Sequence, residues 1–120
     1  MMLSIYYGKM SKESTERLME THGKDGSFLL RDSESVEGAL CLCVRRAPFV
    51  HTYRIEHSTQ GWAVETVSGS KPEYFSTVSR LLETYRAKTP RNMEPPLYPL
   101  EKQTLSTQAL QCIGPNYWEM

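Results

Sequence analysis

The chain has 120 residues and a mass of 13.8 kDa, room for one domain with a modest core and little besides. Fourteen Lys and Arg balance 14 Asp and Glu, so the formal charge is zero, which argues against nucleic acid held by a basic field and against an acidic tail protein. A hydrophobic content of 39% suffices for a core, while the longest apolar run, Ala39 to Val44, is far too short to cross a bilayer.

In chain order, Met1 to Tyr7 lack a basic start followed by an apolar stretch, so no signal peptide is expected and the domain reads as soluble and intracellular. Ser11 is the N-cap of a first helix that carries Lys12, Glu13 and Glu16 in its opening turns and stops at Gly23. Thr15, Leu18, Met19 and His22 recur at spacings of three and four and form its inner side. A turn through Lys24-Asp25-Gly26 leads to a strand from Ser27 to Ser33, and a polar loop from Glu34 to Gly38 leads to a second, Ala39 to Arg45. Pro48 precedes a third strand, Val50 to Glu56, and Gly61 a fourth, Trp62 to Val67. After a loop at Gly69 to Pro72, a second helix carries Phe75, Val78, Leu82 and Tyr85 on one face and ends before Pro90. Glu94 to Leu100 is held extended by its prolines.

The order predicts an α+β fold, a central antiparallel sheet flanked by two helices, one on each face. Phe28 to Leu30 and Ala39 to Val44 are apolar without a break, as strands buried on both faces are. The expected organisation is one domain over residues 1–101 and a short flexible tail over 102–120.

Cys41 and Cys43 alternate around Leu42, with Cys112 far off in the tail, and an odd count without a secretory signal predicts free thiols in a reducing compartment. A metal held by Cys41 and Cys43 with His51 or His57 is not expected, because no second Cys/His pair completes a tetrahedral set. No cofactor is implied.

Arg31 stands out. It follows Phe28, Leu29 and Leu30 in a strand where a charge is expensive unless paired. One reading is a buried ion pair with Asp32 or Glu34. The other is a phosphate cradle, in which the guanidinium, the Ser33 and Ser35 hydroxyls and the loop amides surround a dianion, with Lys12 and Arg54 completing it.

The stretch Gly26-Ser27-Phe28-Leu29-Leu30-Arg31-Asp32-Ser33-Glu34-Ser35 closely resembles the phosphotyrosine-binding signature of SH2 (Src homology 2) domains, with Tyr7-Gly8-Lys9-Met10 and Thr52-Tyr53-Arg54-Ile55 at comparable places. The resemblance covers roughly residues 6–100. Within that family, Leu30 to Val36, Leu40-Cys41-Leu42-Cys43-Val44 and Thr52-Tyr53-Arg54 are similar to the SLAM-associated protein (SAP) group of free-standing SH2 adaptors. The resemblance implies that Arg31 holds the phosphate bidentately and that Ser33, Glu34 and Ser35 close over it. It further implies that Cys41 lies beside the phosphotyrosine ring, and that Lys12 and Arg54 line the pocket. Lys12 departs from the usual arginine, keeping the charge without the planar fork.

By the same resemblance, Tyr53 packs against the peptide beyond the phosphotyrosine, and an apolar pocket between the Ser68–Ser70 loop and the Lys88–Met93 loop takes a Val or Ile three residues downstream. Glu16 and Thr52 match the residues that hold a peptide Thr two positions before the tyrosine, with the upstream peptide added beside the third strand. The implied ligand is Thr-x-Tyr-x-x-Val/Ile, phosphorylated or not, in the cytoplasmic tails of SLAM-family immune receptors.

Tyr74-Phe75-Ser76 has serine where one branch of the family has an arginine that recruits the SH3 domain of a Src-family kinase, so that recruitment is not expected here. Tyr117-Trp118-Glu119-Met120 offers instead a phosphorylation site for a downstream SH2 protein. Pro96 to Pro99 satisfies a minimal Pro-x-x-Pro pattern, but a packed strand is the better reading.

Catalysis is not expected. A cysteine-dependent phosphatase needs Cys-x-x-x-x-x-Arg in one loop, whereas Arg45 and Arg46 follow Cys41 by four and five positions inside an apolar strand. No Gly-x-x-x-x-Gly-Lys loop is present either. The reading is a monomeric cytoplasmic adaptor in tyrosine-kinase signalling, with a competitive blocker of receptor phosphotyrosines as the alternative.

Overall fold

The apolar run Phe28-Leu29-Leu30 is fully buried, as a strand covered on both faces must be. Around it the computed structural model, which describes residues 2–65 and 71–102, arranges α1 (Met2–Ile5), α2 (Lys12–His22), β1 (Ser27–Asp32), β2 (Leu40–Arg46), β3 (Phe49–Ser58), β4 (Gly61–Val64), α3 (Val78–Ala87) and β5 (Tyr98–Pro99). The sheet order is β4-β3-β2-β1-β5; β1 to β4 form an antiparallel meander, and β5 closes the edge parallel to β1. The expected tail and the segment 66–70, with part of the expected fourth strand and loop, lie outside the described residues.

Alternation along β1 and β2 sorts side chains between two cores. Leu29, Cys41 and Cys43 face α2 and meet Leu18 and Met19, together with Tyr7, Met10 and Leu100. Phe28, Leu30, Leu42 and Val44 face the other way, onto Val78, Leu81, Leu82 and Tyr85 of α3. The helix boundaries follow from capping. The Ser11 hydroxyl accepts from the Ser14 amide and Gly23 donates back to the Met19 carbonyl, so α2 ends where expected.

Two expectations change. His22 is exposed, so the inner side of α2 is Thr15, Leu18 and Met19. Phe75 precedes α3 instead of lying within it. The Thr77 hydroxyl caps the helix at Arg80, and Phe75 forms a two-bond bridge with Trp62 while its ring meets Tyr85 edge-on at 5.7 Å. The extended backbone that a cap requires thus takes over the stretch where the apolar spacing alone suggested a first helical turn.

The outer edge of β1 is occupied twice over. Asp32 donates to the Gly8 carbonyl and Tyr7 to that of Leu30, while Leu100 donates to Phe28 and Tyr98 to Gly26. The Tyr7 hydroxyl then donates to the Leu100 carbonyl at 2.8 Å and ties the two flanking segments together. β1 is therefore held on both edges as well as both faces. The backbone carrying Arg31 is thus enclosed on every side.

Gly61 has φ of +125°, and a Cβ there would lie 2.5 Å from the Phe75 carbonyl oxygen. Gly61→Ala combines backbone strain with a clash against backbone and is expected to cost about 2–4 kcal/mol. Gly38→Ala, at φ +85° with nothing near its Cβ, is expected to cost about 1 kcal/mol. Urea midpoints of the two variants check the order.

Candidate functional site

Strand register assembles the site. Arg31 of β1 stands opposite Cys41 of β2, and Cys41 opposite Arg54 of β3, so three side chains form a row across the sheet on the face that α2 covers. The first residue of α2, Lys12, overhangs one end of the row, and the loop after β1 supplies Ser33, Glu34 and Ser35. Together these seven residues, with Thr52 and Glu65, line one cavity of about 330 Å³. Every residue expected to hold a phosphotyrosine therefore borders the same space.

Arg31 is only 4% exposed. Its Nη1 donates to the Asp32 carbonyl at 3.2 Å and lies 3.9 Å from the Glu34 carboxylate, while Nε is buried without a partner. The nearest carboxylate is loose and half-exposed, so a buried cation faces the cavity with incomplete compensation. Ser33 Oγ accepts from the amides of Ser35 and Val36, which shapes the loop. Glu34 Oε1 accepts from the Lys12 amide at 2.7 Å, at the N-terminus of α2. Arg54 donates to Ser35 Oγ at 3.3 Å and pairs with Glu65 at 3.2 Å and Glu56 at 3.9 Å. Glu65 was not legible from the sequence. It directly follows β4, and only the β3–β4 hairpin brings it to Arg54.

The other expected residues lie around this cavity. Glu16 borders an adjoining groove with Glu20, Arg45, Ala47, Pro48, Phe49 and Val50, so it and Thr52 do not share one cavity. Tyr53 points to the opposite face and its hydroxyl accepts from the Glu94 amide at 2.7 Å, which anchors the loop before β5. β4 pairs with Ile55 to Ser58 and the Glu65 amide donates to the Arg54 carbonyl, so among the described residues no strand flanks Phe49 to Tyr53 on that side. Ser76 is exposed, whereas Tyr117 and half of the expected apolar pocket lie outside the described residues. Among the described residues no three His, Cys, Asp or Glu side chains converge as metal ligands, and no helix is long and apolar enough to cross a membrane.

Cys43, fully buried one row from Arg31, is a packing thiol. Burial pushes its pKa up to about 11, with the Arg31 charge opposing only in part. A thiol raised on folding adds stability that is complete below its unfolded value near 9.0 and is lost as pH rises toward 11. The native state is expected to lose about 1 kcal/mol between pH 8 and 10 through this group. Urea midpoints against pH should fall more steeply for the native protein than for Cys43→Ala.

A sheet with a helix on each face, a buried arginine turned into an open cavity and a helix N-terminus beside it define a domain suited to a phosphate-sized dianion. The SH2 domain family model matches residues 5–85. Human SH2 domain-containing protein 1B is 40% identical over 84 residues, covering 69% of this chain and 64% of the relative. Mouse SH2 domain-containing protein 1B2 is 41% identical over 89 residues, covering 73% of this chain and 66% of its own length. Zebrafish (Danio rerio) phosphatidylinositol 3,4,5-trisphosphate 5-phosphatase 2A is 41% identical over 95 residues, or 78% of this chain but 8% of that enzyme. The chain thus spans less than two thirds of the length of these relatives. It belongs to the SH2 domain family, whose members are binding modules for phosphotyrosine-containing partners.

Proposed function

We propose that this chain is a non-catalytic cytoplasmic adaptor that binds Thr-x-Tyr-x-x-Val/Ile segments of SLAM-family receptor tails. In this reading Arg31, Ser33, Ser35, Lys12, Cys41 and Arg54 hold the phosphotyrosine, and Glu34 contributes its backbone to the loop that closes over it. The observation that carries it is the buried Arg31, in one row with Cys41 and Arg54, in a cavity open to solvent. The edge of β3 from Phe49 to Tyr53, free of a neighbouring strand among the described residues, supports an added peptide strand, with Thr52 and Glu16 reading residues before the tyrosine and Tyr53 those after it. Tyr117, once phosphorylated, recruits a downstream SH2 protein; exposed Ser76 in place of a cation favours a shielding role if it does not.

Calorimetric titration with a receptor-tail peptide containing Thr-Ile-Tyr-Ala-Gln-Val, phosphorylated and unphosphorylated, tests the reading. Both forms are expected to bind, the phosphorylated one more tightly. Binding of the phosphorylated form alone removes the assigned roles of Glu16 and Thr52, and binding of neither removes the ligand class. Release of phosphate from the peptide would overturn the non-catalytic reading.

A further inference from the structure

We propose that the Glu34 carboxylate is a built-in occupant of the phosphate seat, which an incoming phosphotyrosine must displace, so that Glu34 sets how strongly binding depends on phosphorylation. The proposal rests on the phosphotyrosine-binding reading above and adds a specificity determinant to it. Glu34 Oε1 takes the first amide of α2, that of Lys12, at 2.7 Å, a donor a helix N-terminus offers to an anion. The same oxygen lies 3.9 Å from Nη1 of Arg31, whose side chain is 5% exposed and whose Nε is buried with no partner. One carboxylate oxygen therefore bridges the two anion-seeking groups of the cavity without satisfying the arginine.

Its fit as a temporary occupant follows from exposure and charge. The Glu34 side chain is 56% exposed on a loop, so water receives it readily when it swings out. A monoanion at 3.9 Å from a guanidinium is a weaker partner than a dianion forming two short parallel bonds, so phosphate wins the exchange but forfeits the interactions that Glu34 gives up. An unphosphorylated tyrosine requires no exchange. The carboxylate thus lowers phosphopeptide affinity selectively.

The test is titration of native protein, Glu34→Gln, Glu34→Ala and Glu37→Gln with the phosphorylated and unphosphorylated peptide. Glu37 is the control, an acid of the same loop that, unlike Glu34, does not border the Arg31 cavity. Glu34→Gln and Glu34→Ala are expected to bind the phosphopeptide about three- to tenfold more tightly, with the unphosphorylated affinity unchanged. The Lys12 amide resonance should shift in both Glu34 variants, and in native protein when phosphopeptide is added. Equal gains for both peptides, an equal gain from Glu37→Gln, or a loss on removing Glu34 would each overturn the proposal. If native protein shows no preference for the phosphorylated form, the underlying reading fails instead, and the two failures are distinct.

Discussion

Replacing Arg31 by methionine is expected to do two opposite things: abolish the contribution of phosphate to peptide binding and raise the stability of the domain. Arg31 is 4% exposed, its Nε has no partner, and its nearest carboxylate stands 3.9 Å away on a half-exposed loop. The folded protein carries a desolvated charge that the free state does not repay, and exchanging such a charge for an apolar chain of similar length stabilises by about 1–2 kcal/mol. For a domain of this size that is a rise in Tm of about 4–8 °C. Truncating one partner of a buried, hydrogen-bonded charge pair costs about 2–4 kcal/mol in binding, so phosphopeptide affinity should fall by about 30- to 1000-fold. Affinity for the unphosphorylated peptide should hardly change. Calorimetric titration with the two peptides and a thermal melt measure all three quantities. A fall in Tm together with equal losses for both peptides would mean that Arg31 is a structural residue.

Phe28→Ala is expected to destabilise the domain by about 3–5 kcal/mol, enough to unfold much of it at 37 °C. Phe28 is fully buried in the core between the sheet and α3. The Arg86 guanidinium lies 5.2 Å from its ring centre, and its carbonyl accepts from Leu100, so the position joins α3, β1 and the closing segment. Truncation leaves a cavity that three separate elements would have to close. Phe28→Leu, which keeps most of the volume, should cost about 1–2 kcal/mol. Urea denaturation gives both numbers. A loss under about 1.5 kcal/mol for the alanine variant would mean that the α3 face is not part of the cooperative unit.

Much of this molecule is local and therefore readable in one dimension. Ser11 and Gly23 bracket α2 because a hydroxyl and a glycine satisfy orphaned helix ends with groups from their own segment. The unbroken apolar runs around Leu29 and Leu42 identify strands buried on both faces, and an arginine at the end of such a run marks a buried charge. Residue type along the chain singled out Lys12, Ser33, Ser35 and Arg54, the family resemblance added Cys41, and all five border the Arg31 cavity.

What tertiary structure decided depends on contacts between residues distant in the chain. The pairing of Glu65 with Arg54 exists because a hairpin brings the end of β4 beside β3, and no spacing rule on single residues carries that information. The parallel seat of β5 on β1, and the Tyr7 hydroxyl on the Leu100 carbonyl, join positions 93 residues apart. The exposure of His22 and the place of Phe75 outside α3 show periodicity yielding to capping and to a cross-strand bridge. The Glu34 carboxylate sits on the Lys12 amide, 22 residues away, a contact that no local pattern shows. The charge at each residue is a property of the sequence. Which charge meets which is settled only when the sheet closes.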